Sequence, residues 1–318
     1  HSGKGHDGTS LYPAFPFTSY TKVTRADTDA IFAYLKTMPA VKRPNTDNTL
    51  RWPYRMRSLM GAWRTLYFSE GEFQPDAKRS AAWNRGAYLV QGLGHCAECH
   101  ARRNSFGAMV DDPFLAGGIV PVQNWYAPDL SMGAHGGLAG WTEADVVALL
   151  KTGRSRKGTA FGPMAEVVMR STQHLDDSDL AAMATYLKSL PEREPGQQRE
   201  SAADARELAL NGQKVYTALC AECHAADGRG KGDAYPPLDG NGSVTDPTGI
   251  NAIRIVLSGG FAPATKDNPR PYSMPPFSQK LSDDDAAAVV TYIRQAWSNK
   301  APSVSPGDVR SYRTIPGE

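Results

Sequence analysis

Cys96-Ala97-Glu98-Cys99-His100 and Cys220-Ala221-Glu222-Cys223-His224 place all four cysteines of a 318-residue chain in two identical pentapeptides. The spacing suits one chemistry best. Two thiols separated by two residues can each form a thioether with a vinyl group of one porphyrin, and the imidazole that follows is then delivered to the iron. A Cys-x-x-Cys pair can also serve a zinc knuckle or a redox dithiol. Zinc pairs usually stand much closer than these two, which lie more than a hundred residues apart, and a thioredoxin-like dithiol needs a βαβ setting that is not legible here. Two covalent haems c are therefore expected in this chain, held through Cys96, Cys99 and His100 and through Cys220, Cys223 and His224.

A sixth ligand must reach each iron from the opposite side, and His/Met ligation marks electron-carrying cytochromes c. The segment Tyr272-Ser273-Met274-Pro275-Pro276-Phe277 offers Met274, the sole methionine after Met183. Phe161-Gly162-Pro163-Met164 offers Met164 on a Gly- and Pro-rich loop, with Met169 five residues on as its alternative. Pro128 and Pro237 are candidates to present a carbonyl to the proximal imidazole N–H, the contact that fixes a ligand's tautomer, although turn prolines need no such role. Arg103 is a candidate partner for a propionate, against the plainer reading of a solvated arginine. His95, His135 and His174 are read as structural.

The elements that must position these residues repeat. Tyr34-Leu35, Tyr186-Leu187 and Tyr292-Ile293 each follow an Ala (Ala30, Ala182, Ala288), an Asp (Asp27, Asp179, Asp285) and a capping residue (Thr24, Asp176, Ser282) at constant offsets. An acid in the first turn after a capping side chain, then apolar positions at helical spacing, predicts the same closing helix three times. The expected plan is all-α, with tandem class I-like cytochrome c domains and an incomplete first copy: 1–38 the distal half of a first domain, 39–80 a connector, 81–191 and 203–300 complete domains, 192–202 a polar linker, and 301–318 a tail. A haem enlarges the modest core that a hundred-residue domain can bury alone.

Charge adds little. A net charge of +2, with 35 basic against 33 acidic residues, shows no bias toward nucleic acid. No apolar run approaches the roughly 20 residues of a membrane-spanning helix. Haem is attached covalently outside the bacterial cytoplasm, so a periplasmic location is expected.

Trp83-Asn84-Arg85-Gly86-Ala87-Tyr88-Leu89-Val90-Gln91-Gly92-Leu93-Gly94-His95-Cys96, Leu115-Ala116-Gly117-Gly118, Trp125-Tyr126-Ala127-Pro128 and Gly162-Pro163-Met164 with Val167-Val168 resemble the cytochrome c subunit of bacterial periplasmic membrane-associated dehydrogenases. The resemblance runs over essentially the whole chain. It implies an electron-transfer subunit, not itself the catalyst, that takes electrons from a flavin, quinone-cofactor or molybdenum dehydrogenase subunit and passes them to ubiquinone or a terminal oxidase. It also implies a haem in each complete domain, with Met164 and Met274 as sixth ligands. Two rivals are a dihaem enzyme such as a cytochrome c peroxidase, which needs an open iron, and the haem subunit of a terminal oxidase, which normally brings a membrane span. Two departures stand out: the family's first C-x-x-C-H is absent, and its Leu-Tyr-Pro-Ala-Met-Pro appears as Leu11-Tyr12-Pro13-Ala14-Phe15-Pro16. The spacing of Gly3, Gly8 and Phe15 parallels that of Gly153, Gly158 and Met164, so residue 1 is expected to match the end of a middle helix, with a third C-x-x-C-H and haem upstream. The faces of Leu11, Phe15, Ile31 and Leu35 are then expected to be poorly buried.

Overall fold

The structure, a computed structural model, describes residues 1–44, 46, 49–110, 114–133, 137–192, 205–232 and 234–313. His135, most of the expected linker and the last residues of the expected tail lie outside these. Among the described residues the chain is mostly helical. The first segment forms α1 (Phe17–Tyr20) and α2 (Arg25–Thr37), and α3 (Leu59–Tyr67) follows within 39–80. The next unit holds α4 (Ala81–Gln91), α5 (Ala97–His100), the antiparallel pair β1 (Gly118–Ile119) and β2 (Tyr126–Ala127), α6 (Glu143–Thr152), the hairpin β3 (Arg154–Ser155) and β4 (Gly158–Thr159), α7 (Pro163–Arg170) and α8 (Asp177–Leu187). The last unit repeats the order with α9 (Ala205–Leu219), α10 (Ala221–His224), α11 (Ile250–Ser258), the antiparallel pair β5 (Gly260–Phe261) and β6 (Ser273–Met274), and α12 (Asp283–Gln295), then adds α13 (Pro306–Arg313).

The three repeated helices begin where their caps place them. Thr24 accepts from the Asp27 N–H, and Ser282 and Asp285 form a reciprocal capping box, whereas Asp176 stands at its cap without a side-chain bond. Each satisfied cap contributes about 1 kcal/mol. In each complete unit the first helix crosses the closing one through a glycine. A Cβ on Gly86 would lie 1.9 Å from the Ala182 carbonyl oxygen, and one on Gly212 would lie 2.0 Å from that of Ala288. Aromatic pairs brace these crossings, Trp83 with Tyr186 at 5.1 Å and Tyr216 with Tyr292 at 5.3 Å between ring centroids.

A second device occurs three times. Gly3, Gly153 and Gly259 have φ of 65°, 79° and 74°. Each is followed by an antiparallel pairing: Lys4 with Ser10, Arg154 with Thr159, and Gly260 with Met274. Only glycine takes this left-handed backbone without strain, so each segment leaving the glycine can fold back on itself.

The first segment and α3 dock on the next unit. Phe17 is fully buried and meets Trp63 and Phe68 edge-on. Thr18 Oγ1 donates to Glu98 Oε1 at 3.0 Å, and the Tyr88 hydroxyl donates to the Asp27 carboxylate. Yet α2 buries none of its residues, in contrast to α8 and α12. Phe15, Ile31, Phe32, Tyr34 and Leu35 are all more than 40% exposed.

Residues 301–313, expected to belong to a tail, instead form part of the last unit. Val304 and Val309 are buried in its core, and Arg310 and Arg313 both reach Asp283 at the start of α12, at 3.0 and 2.7 Å. Two well-placed valines and a shared carboxylate suffice to dock a short helix whose surroundings, rich in Pro and Ser, read as irregular.

Candidate haem-binding sites

α5 and α10 are single turns that each end on a histidine, so the two thiols and the imidazole of each motif share one small rigid element. His100 Nδ1 donates to the Pro128 carbonyl at 2.7 Å, and His224 Nδ1 donates to the Pro236 carbonyl at 3.0 Å. A carbonyl only accepts, so each Nδ1 carries the proton and each Nε2 keeps its lone pair for a metal. Burial lowers the pKa of both imidazoles below the ordinary histidine value. It also pushes the Cys96 thiol up to about 12, with Cys99 adding to the effect, and the Cys220 thiol up to about 11. An apolar wall around these thiols suits thioethers, which carry no charge. Among the described residues, no group of three or more His, Cys, Asp and Glu side chains is arranged to hold a metal ion.

The carbonyl facing His224 is that of Pro236, not of Pro237 as the sequence suggested; the Pro237 carbonyl accepts from Asn241 Nδ2 at 2.9 Å. A residue before proline is held extended, so the two successive carbonyls diverge and the first takes the imidazole. Arg103 pairs with Glu98 at 2.7 Å and donates to the Glu98 and Gly107 carbonyls, while its Nε is buried without a hydrogen-bond partner among the described residues.

Each expected methionine packs on the same hydrophobic cluster as the first cysteine of its motif: Met164 with Cys96, and Met274 with Cys220. Met169 is not part of that packing. Met164 was expected on a loop, but it occupies the first turn of α7. Pro163 supplies the fixed φ that suits the first helical position, and Gly162 at φ 51° turns the chain so close to Trp125 that a Cβ would lie 2.9 Å from the indole. Met274 lies on β6, paired with Gly260 across the hairpin.

In the last unit a largely apolar cavity of about 280 Å³ is lined by Cys220, Cys223, His224 and Met274 together with Tyr216, Val256, Phe277 and Ile293. Both thiols, the imidazole and the thioether open on one chamber, so the residues present fit a covalently attached haem. In the other unit Cys96, Cys99 and His100 occupy the corresponding turn at α5, whereas Met164 comes from helix α7 and not from a strand.

The two sites share a wall that is barely legible in the sequence. Asn251 on α11 donates through Nδ2 to the Tyr126 carbonyl at 2.8 Å and accepts at Oδ1 from the Tyr126 N–H at 3.0 Å, closing both backbone groups of a β2 residue. Arg254, one turn on, lies 4.2 Å from the centroid of the Trp125 ring and donates to the Gln123 and Asn124 carbonyls. Ile255 packs with Cys99, Trp125 and Phe161. The available signal was two buried polar residues, Asn251 and Arg254, on an otherwise apolar helix, since such groups must find partners.

Comparison with known proteins agrees with this geometry. The family description "Cytochrome c" matches residues 84–191 and 209–297. The chain is 37% identical to the alcohol dehydrogenase (quinone) cytochrome c subunit of Gluconobacter oxydans (strain 621H), covering 97% of this chain and 68% of that protein. It is 36% identical to the gluconate 2-dehydrogenase cytochrome c subunit of Pantoea cypripedii, over 98% of this chain and 74% of that one. Identity to the fructose dehydrogenase cytochrome subunit of Gluconobacter japonicus is 33%, over 96% and 68%. Sequence family, repeated fold and paired motifs converge: the chain belongs to the cytochrome c family, alongside the cytochrome c subunits of alcohol, gluconate and fructose dehydrogenases.

Proposed function

We propose that this chain is the electron-carrying subunit of a dehydrogenase complex. It takes electrons from a catalytic subunit of flavin, quinone-cofactor or molybdenum type and passes them to ubiquinone or a terminal oxidase at the periplasmic side of the membrane. Two haems c are attached at Cys96/Cys99 and Cys220/Cys223, with His100 and Met164 ligating one iron and His224 and Met274 the other. The observation that carries this reading is the packing of each candidate methionine on the same cluster as the first cysteine of its motif.

When bound, haem supplies a one-electron couple between ferric and ferrous iron. The chain's own residues hold it and tune it. Pro128 and Pro236 fix the imidazole tautomers, the methionine thioethers favour the ferrous state, and the apolar walls exclude water. With an imidazole and a thioether assigned to each iron, no position would be left for a substrate, which supports a carrier over a peroxidase.

The test is a haem count by alkaline pyridine spectrum with an intact mass, followed by rapid-mixing reduction. Two haems, a low-spin resting spectrum and reduction that depends on a dehydrogenase subunit are expected. A resting high-spin haem that binds peroxide would overturn the assignment.

A further inference from the structure

The cavity holding Cys220, Cys223, His224 and Met274 is not walled by its own domain alone. Arg154, Thr159, Ala160 and Phe161 line it as well, and they come from β3, β4 and the loop leading to Met164. They reach it because this hairpin is pressed against the segment between β5 and β6. A Cβ on Gly153 would lie 2.0 Å from Pro263 Cγ, Thr265 Oγ1 donates to the Thr152 carbonyl at 3.3 Å, and the Lys266 N–H donates to Gln173 Oε1 at 3.0 Å.

The chemistry of the lining is selective. Among the described residues its walls are mainly apolar and aromatic, with two guanidinium side chains, Arg154 and Arg270. An apolar chamber lined by two guanidinium groups suits a flat apolar ligand that carries two negative groups at its edge. Haem has that form, since the porphyrin bears two propionates, and guanidinium groups bind carboxylates in planar two-point fashion.

We infer that Arg154, although it belongs to the domain of the first haem motif, is a cofactor-binding residue of the second haem and shares its two propionates with Arg270. The inference rests on the reading of the His224 site as a haem site. It makes that site composite: one domain would supply Cys220, Cys223, His224 and Met274, and the other would supply a charge. A cation near the propionates stabilises the electron added to the iron, so losing it should lower the potential.

The test uses the full chain carrying both haems. Redox titrations of the wild type, Arg154→Gln, Arg154→Lys and Arg270→Gln are compared, with the midpoint of the second haem identified by the shift that Met274→His produces. Arg154→Gln should lower that midpoint and leave the other in place, and Arg154→Lys should restore most of the loss. Resonance Raman spectra should show the propionate bending band displaced in both Arg154 variants, because an ammonium cannot reproduce the two-point contact. An unchanged second midpoint in Arg154→Gln, or a shift confined to the first haem, overturns the inference. Should Arg154→Gln fail to retain haem, an unchanged propionate band in Arg154→Lys overturns it equally. Failure of the underlying reading is separate, because it appears as wild-type protein with no haem mass on the Cys220–Cys223 peptide.

Discussion

The α-carbon of Gly86 faces the carbonyl oxygen of Ala182 so closely that a methyl group would stand 1.9 Å from it, and Gly212 repeats the relationship with Ala288 at 2.0 Å. The obstacle is backbone in both cases, so no rotamer change can relieve it. Gly86→Ala and Gly212→Ala should therefore each force the crossing helices apart and cost about 1–3 kcal/mol or more. Thermal unfolding followed by helical circular dichroism should show each midpoint lowered. An unaltered midpoint would mean that the crossings are looser than the structure shows.

Met274→His should lower the potential of one haem and leave the other unchanged, since exchanging a thioether for an imidazole removes the preference for ferrous iron. For the first site, Met164→Ala should open the iron to an added ligand such as carbon monoxide, whereas Met169→Ala should not. The opposite pattern would move the ligand to Met169.

The closing helices were legible in the sequence because cap, acid, alanine and tyrosine recur at fixed offsets, and short-range spacing is what sets a helix start. The attachment motifs were equally open, since their chemistry lies within five residues. Other features depended on distant partners. Met164 lies in a helix rather than a loop because Gly162 must turn beneath Trp125. Residues 301–313 fold onto the last unit because Asp283 accepts two arginines. The shared wall was the least visible, because Asn251 and Arg154 become significant only once another domain is placed against them.

Asp145 gives a handle on acid stability. Its carboxylate is almost fully buried and is held at a pKa of about 2, chiefly by the Arg156 guanidinium and also by hydrogen bonds from Thr142, with which it caps α6. Its ordinary value is 3.8, so the folded state binds this proton less readily than the unfolded chain does. The resulting stability is present above pH 3.8 and is lost as the pH falls from there to about 2. Asp145→Asn should be less stable near neutrality and should lose less on acidification across that window. Denaturant titrations at a series of pH values check this, and parallel acid profiles for the two proteins would refute it.

The purified chain should be reduced by dithionite but not by alcohols, gluconate or fructose. Reduction by one of these should appear when a matching dehydrogenase subunit is added, as an absorbance change on the timescale of turnover. Rapid reduction of the chain alone by such a substrate would make it a catalyst in its own right.

The two bonds between Asn251 and Tyr126 make a side chain imitate a strand, and this fixes the gauge of the gap between the two sites. An electron crossing that gap travels a set distance instead of waiting for two bodies to meet. The hop inside the chain should therefore keep its rate as glycerol thickens the solution, while exchange with outside donors slows in proportion to viscosity. A sliding contact would instead leave both steps governed by the solvent.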